Sequence, residues 1–377
     1  MLNQFIMMDT ERNTSNLFKY WLPCLMLMIA LGACKKKPAV QVDPIPVTPS
    51  LPYNYANAYL AAGNRFDSNA VFTTTQLDTI NGTYGSNKTN LNVTQTLPFS
   101  FYAPKKALDT MQKRPFIMLI HGGGFISGSY TSLQSIARSF AVRGYAAATI
   151  EYRQGWNPGT VPCLQGDSIE VLKAVYRATQ DARAAMRYFV ANAATFGIDT
   201  AQLFLFGSSA GSVTSTAVLY YEQPFFETII PNLQTTLGGL NTATNTLTNP
   251  FRIQAEITTS GYVLLNRNAI TAANCRPALY MQGSVDATLP PTYGPAFQCP
   301  LGTYGKTWGS LTAKEIVKNL KYPYEHYLDV GADHDVSTDY PSTFYIKRIT
   351  SFIKRLWKAD YRQIEYSTFT QTQNIKL

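Results

Sequence analysis

The chain has 377 residues and a formal net charge of +9, with only 15% of residues charged. That length suits one large α/β domain or two small ones, with a sizeable buried core. The low charge content, with abundant Thr, Asn and Tyr, points to an extracytoplasmic protein rather than a cytosolic one. Lys and Arg are scattered, the single tight run being Lys35-Lys36-Lys37, and no basic-aromatic strip occurs, so no nucleic-acid partner is expected.

In chain order, residues 20–33, YWLPCLMLMIALGA, form an apolar stretch behind Lys19 that is short for a membrane span. It closes on Leu31-Gly32-Ala33-Cys34, which resembles a bacterial lipobox. The resemblance implies a signal peptide over 1–33, cleavage before Cys34 and acylation of that cysteine. The protein would then be lipid-anchored in a bacterial cell envelope, at the periplasmic face or the outer membrane. The proline-rich stretch 34–52 reads as an extended tether, and residues 53–377 as the folded domain.

Beyond the tether, residues 69–78 and 95–103 read as strands around the turn signal NGTYGSN. RPFIMLI (114–120) is a buried strand, followed by a helix over 131–143 and the strand YAAATIEYR (145–153). A long helix is expected over 168–195, then the strand LFLF, a helix over 210–221, and the strands FRIQAEITTSG and PALYMQG. AKEIVKNL is a helix, YPYEHYLDV a strand, and 340–357 a closing helix. Strands alternating with helices mean an α/β fold with a mostly parallel sheet covered on both faces. Residues 223–250, rich in Thr, Asn and Leu, interrupt the alternation as a lid or an inert insertion.

The stretch LFLFGSSAGSVT (203–214) takes a strand into a helix through a tight turn, with Ser209 between Gly207 and Gly211. A serine hydroxyl needs a base beside it to act as a nucleophile. The chain has three histidines. His121 opens HGGGF directly after a strand and reads as structural, as does His326 inside a strand. His334, in the loop GADHD after a strand, is the candidate base. Among the acidic residues between Ser209 and His334, Asp286 alone sits in a loop immediately after an apolar strand. Asp333, adjacent to His334, is poorly placed to reach its Nδ1.

Gly207-Ser208-Ser209-Ala210-Gly211, with HGGG upstream and Asp then His downstream, resembles the α/β-hydrolase fold over residues 95–357. Within it the closest likeness is to the carboxylesterase and hormone-sensitive-lipase-like groups, including bacterial feruloyl and acetyl esterases. The resemblance implies a serine esterase acting on small-molecule or polysaccharide-linked esters, with Ser209, Asp286 and His334 as its triad. It also implies an oxyanion hole from the amides of Gly123, Gly124 and Ala210. Ser208 and Ser212 are left with turn-packing and helix-start roles. A peptidase of the same fold and a catalytically silent binding protein are the alternatives. Silent relatives typically lose a triad residue, and none is missing.

Aromatic residues past strand ends, Phe125, Trp156, Tyr262 and Trp308, are candidate substrate contacts, with ordinary packing as the competing reading for each. No Cys or His spacing suggests a metal, and no cofactor is expected. In the folded domain the cysteines are Cys163, Cys275 and Cys299. A Cys275–Cys299 bridge would close a loop of about 25 residues around the Asp286 turn and leave Cys163 over. Spacing alone does not assign the pair, and pairing of Cys163 with either stays open.

Overall fold

Apolar runs long enough to be buried on both faces dictate a parallel sheet. In the computed structural model the described residues are 59–159, 161, 163–299, 303–336 and 342–367, together with the strand Ile45–Pro46. The expected signal peptide, Cys34 and nearly all of the tether lie outside them.

The strands are Ile45–Pro46 (β1), Leu77–Lys88 (β2), Thr94–Pro104 (β3), Arg114–Ile120 (β4), Ala146–Ile150 (β5) and Ile198–Ser208 (β6). They continue with Ile253–Thr259 (β7), Ala278–Gly283 (β8), Tyr293–Pro295 (β9), Lys306–Trp308 (β10), Tyr324–Asp329 (β11) and Arg362–Ser367 (β12). The helices are Gln134–Ala141 (α1), Ser168–Ala191 (α2), Ala193–Phe196 (α3), Ala210–Tyr220 (α4), Gln223–Ile229 (α5), Leu233–Leu237 (α6), Ser310–Asn319 (α7) and Ser342–Trp357 (α8).

Among the described residues, ten strands form one sheet in the order β1-β12-β11-β8-β7-β6-β4-β5-β3-β2. The run from β12 to β5 is parallel throughout. β1, β3 and β2 add to it antiparallel. Every residue of β4, β5, β7 and β8 is buried, as both-face coverage by helices requires. This is the α/β-hydrolase fold. Among the described residues, no helix is long and apolar enough to cross a membrane.

The expected turn at 81–87 is corrected, because β2 runs straight through it with one bulge between Thr83 and Gly85. The reversal falls at 89–93 instead. There Thr89 Oγ1 accepts the Leu91 and Val93 amides, and Asn92 takes a left-handed φ of 61°. The strand expected over 69–78 accordingly starts at Leu77. The segment 223–250 forms α5, α6 and a loop pinned to the long helix. Tyr176 Oη and Gln180 Nε2 donate to the Gly238 carbonyl, and Asn245 Nδ2 donates to the Tyr84 and Ala184 carbonyls.

The disulfide expectation is also corrected: the bridge joins Cys163 to Cys299 across a sequence separation of 136, and Cys275 is a buried free thiol. Cys275 sits in a turn of its own, its amide bonded to the Thr271 carbonyl. The loop carrying Cys299 instead leans on the loop after β5, where Tyr304 donates from Oη to the Pro158 carbonyl and packs edge-on against Trp156. Fold proximity, not sequence distance, chose the partner.

Candidate active site

β6 ends at Ser208 and α4 begins at Ala210, so the whole reversal is made at one residue. Ser209 sits there at φ 53°, ψ −117°, a region that costs a non-glycine residue energy. Its amide is held by the Thr259 carbonyl at 3.0 Å, and Ser212 Oγ donates to its carbonyl at 2.6 Å. The flanking glycines are steric necessities. A Cβ on Gly207 would meet the Gly211 carbonyl at 2.3 Å, and one on Gly211 would meet that of Ile120 at 2.0 Å.

The loops after β8 and β11 bring the other two candidates to this turn. Ser209 Oγ lies 2.8 Å from His334 Nε2, and His334 Nδ1 lies 2.9 and 3.0 Å from the Asp286 carboxylate oxygens. Asp286 is buried and also accepts the Leu289 and Thr288 amides at 2.8 and 3.0 Å. His334 is partly exposed. Asp333 has a part that spacing did not reveal. Its Oδ1 accepts the His334 amide at 2.8 Å and the Ala287 amide at 3.3 Å, tying the two loops together.

The HGGG loop passes directly over the turn: a Cβ on Gly122 would lie 3.0 Å from that of Ser209. Gly123 has φ 119° and backs onto the Ser127 carbonyl, leaving no room for a side chain. Among the described residues, the amides of Gly123, Gly124 and Ala210 meet no protein acceptor. His121 is structural as expected, with Nδ1 2.7 Å from the Gly122 carbonyl and Nε2 2.9 Å from Glu151. Burial pushes the Glu151 carboxyl up, but the bond and charge of His121, with the Tyr130 amide and Gln154, outweigh it and hold it below the ordinary value. His326 bonds Ser310 at 2.9 Å inside the core, where burial and then Lys314 push it down to about 3.

For two of the four aromatic candidates the packing reading has the support of burial. Phe125 and Tyr262 are 1% and 0% exposed and face the core, Tyr262 donating to Glu256. Loops that leave a strand end can turn their aromatic side chains inward, and these do. Trp308 lies against Tyr293 in the β9–β10 hairpin. Trp156 does reach the site, as a brace: its Nε1 donates to the Gly124 carbonyl at 2.8 Å. Phe297, which no sequence signal marked, stands beside Gly124 and packs on Trp156 and Tyr304. The Cys163–Cys299 bridge ties its segment to the loop that carries Trp156.

A family model described as BD-FAE matches residues 100–261, less than half of the chain, which takes in the HGGG loop and Ser209. The chain is similar to a chlorogenic acid esterase of Aspergillus niger, 32% identical over 138 residues, 36% of this chain and 26% of that protein. It is also similar to gut esterase 1 of Caenorhabditis elegans, 31% identical over 124 residues, 31% of this chain and 20% of that protein. The match thus spans about a quarter or less of the length of these relatives. Among solved structures, native Thermogutta terrifontis esterase 2 is 19% identical with a TM-score of 0.47, over 75% of this chain and 93% of that one. MGS-M1, an α/β hydrolase from a deep-sea metagenome, is 16% identical with a TM-score of 0.45, over 73% and 98%.

Proposed function

We propose that the protein is a serine carboxylic ester hydrolase. The observation that carries the reading is the unbroken series from Ser209 Oγ through His334 to Asp286, each contact at hydrogen-bond distance. Ser209 Oγ attacks the acyl carbonyl while His334 Nε2 takes its proton, and Asp286 steadies the resulting imidazolium through Nδ1. The amides of Ala210, Gly123 and Gly124 stabilise the oxyanion that forms. His334 then returns the proton to the departing alcohol. A water molecule, deprotonated by the same imidazole, attacks the acyl-serine and releases the acid.

The similarity to a chlorogenic acid esterase supports esters of aromatic acids as substrates, with feruloyl and acetyl groups on plant polysaccharides in view. Wild type and Ser209→Ala are to be compared on p-nitrophenyl acetate through decanoate, on feruloylated and acetylated xylan, and on peptide amides. Ester turnover that disappears in the variant is expected. An inert wild type, turnover that survives Ser209→Ala, or cleavage confined to the amides would overturn the reading. Leu31-Gly32-Ala33-Cys34 supports envelope anchoring through acylated Cys34. Cys34→Ser should release the protein from the detergent phase with turnover intact, and an unmodified N-terminus in the membrane fraction would rule the anchor out.

A further inference from the structure

The parallel strands have two ends. β7 finishes at Thr259, whose carbonyl holds the Ser209 amide, and starts at Ile253, 259 − 253 = 6 residues or about 20 Å away. Ile253 lies in the wall of a groove of about 460 Å³ between α2, the end of α4 and the 241–252 loop. Arg183, Arg187, Arg252 and Arg276 line it, against Glu222 as the one carboxylate among its lining residues.

Six arginines are buried among the described residues, and five have evident partners. Arg114, Arg153, Arg183 and Arg348 pair with Asp109, Asp181, Glu222 and Glu325. Arg177 donates to the Gly155 carbonyl at 2.5 Å. Arg187 differs. It is 4% exposed; among the described residues it pairs with no carboxylate, and its one hydrogen bond is a long 3.4 Å contact to the Asn245 amide oxygen; the Nε without an acceptor it shares with Arg177, Arg183 and Arg348. A buried guanidinium with neither an anion nor a short hydrogen bond is costly, and so is rarely left that way. Burial, then the like charge of Arg183, push Arg187 down to about 10, so it is charged at neutral pH and unneutralised.

We propose that this groove is a second binding site, separate from the elbow, for a ligand that presents an oxyanion (carboxylate, sulfate or phosphate) to Arg187. The planar guanidinium fork suits two oxygens of such a group. Asn241, Thr242, Thr248 and Asn249 in the same walls offer amides and hydroxyls to the ligand's neutral part.

The probes are sulfate, phosphate and glucuronate, titrated into the protein by thermal shift and calorimetry. Sodium chloride at matched ionic strength and glucose are the controls. A saturable rise in Tm is expected with at least one oxyanion and with neither control. Glucuronate acting alone would identify a sugar acid, whereas sulfate or phosphate acting would identify an inorganic or esterified group. Arg187→Gln should abolish the response, and Arg187→Lys should weaken it about tenfold. Arg187→Met, which removes the unpaired charge, should be at least as stable as wild type in anion-free buffer. No saturable response, an equal response in Arg187→Gln, or variants that fold poorly without anion would overturn the proposal. Because the readout is binding, failure of the esterase reading would leave this result standing, and the converse holds.

Discussion

Two buried carboxyl groups on neighbouring strands are held in opposite ways. Asp286, just past β8, is met by N–H donors from Leu289, Thr288 and His334. Glu256, within β7, meets only neutral O–H groups, Thr216 Oγ1 at 3.0 Å and Tyr262 Oη at 3.3 Å. Burial pushes Glu256 up to about 8, and those two bonds only moderate the rise. Both side chains are out of water, so burial does not decide their roles. The donors do: in the proposed reaction one group would steady a charge that forms beside it, while the other sits neutral in the core.

The sharpest way to break this contrast is to neutralise each member. Ser209→Ala and His334→Ala should lower kcat by about 10⁴ to 10⁶. Asp286→Asn, which sets an amide against N–H donors and permits the wrong imidazole tautomer, should cost about 10⁴. Near-normal turnover in Asp286→Asn would move the acid role elsewhere, with Asp329 and Asp333 next in line. Reducing Cys163–Cys299 comes next, because it releases a constraint over 136 positions and chain-entropy arguments give about 4 to 5 kcal/mol. Thermal melts with and without reductant measure it, and non-reducing peptide mapping checks the pairing.

Glu256→Gln should leave turnover alone and change how stability depends on pH. An unfolded glutamate loses its proton near 4.5, whereas the folded group holds it to about 8. Between those values the native state binds the extra proton, so its stability falls as pH rises, by up to about 1.4 kcal/mol per unit. Urea melts at pH 5, 6, 7 and 8 should show the wild type losing ground to the variant at each step. A constant difference would count against the neutral assignment. The smallest effect is expected of Trp156→Phe, which keeps the ring and removes the N–H to Gly124. A fall in kcat of about tenfold with little change in KM would mark an oxyanion-loop brace. An unchanged kcat would reduce it to packing.

What the sequence made legible is local. A strand, a crowded turn and a helix around Ser209 are written in consecutive residues, and three histidines leave little to choose among. Asp286 was visible because a polar residue directly after an apolar strand has few other places to go. The Cys163–Cys299 bridge was hidden because it depends on which loops lean together, and that follows from strand order. For Phe125 and Tyr262 substrate contact and packing stayed open for a related reason: position past a strand end does not tell which way a side chain turns. Trp156 was singled out for its place past a strand end, and its bond to the Gly124 carbonyl is a contact that spacing could not foretell. Arg187 gave no signal, because a missing partner exists only in three dimensions.

The pairing of β1 with β12 bears on how the molecule behaves in company. β12 would otherwise show an open ladder of backbone groups, which another chain could extend. β1 covers it at only two register positions, Ile45 opposite Gln363 and Pro46 opposite Arg362. Pro46 has no N–H and so adds no donor to this strand. Among the described residues, Arg362 and Gln363 are thereby closed to edge-to-edge pairing, and Pro46 contributes there a hydrogen bond it cannot make.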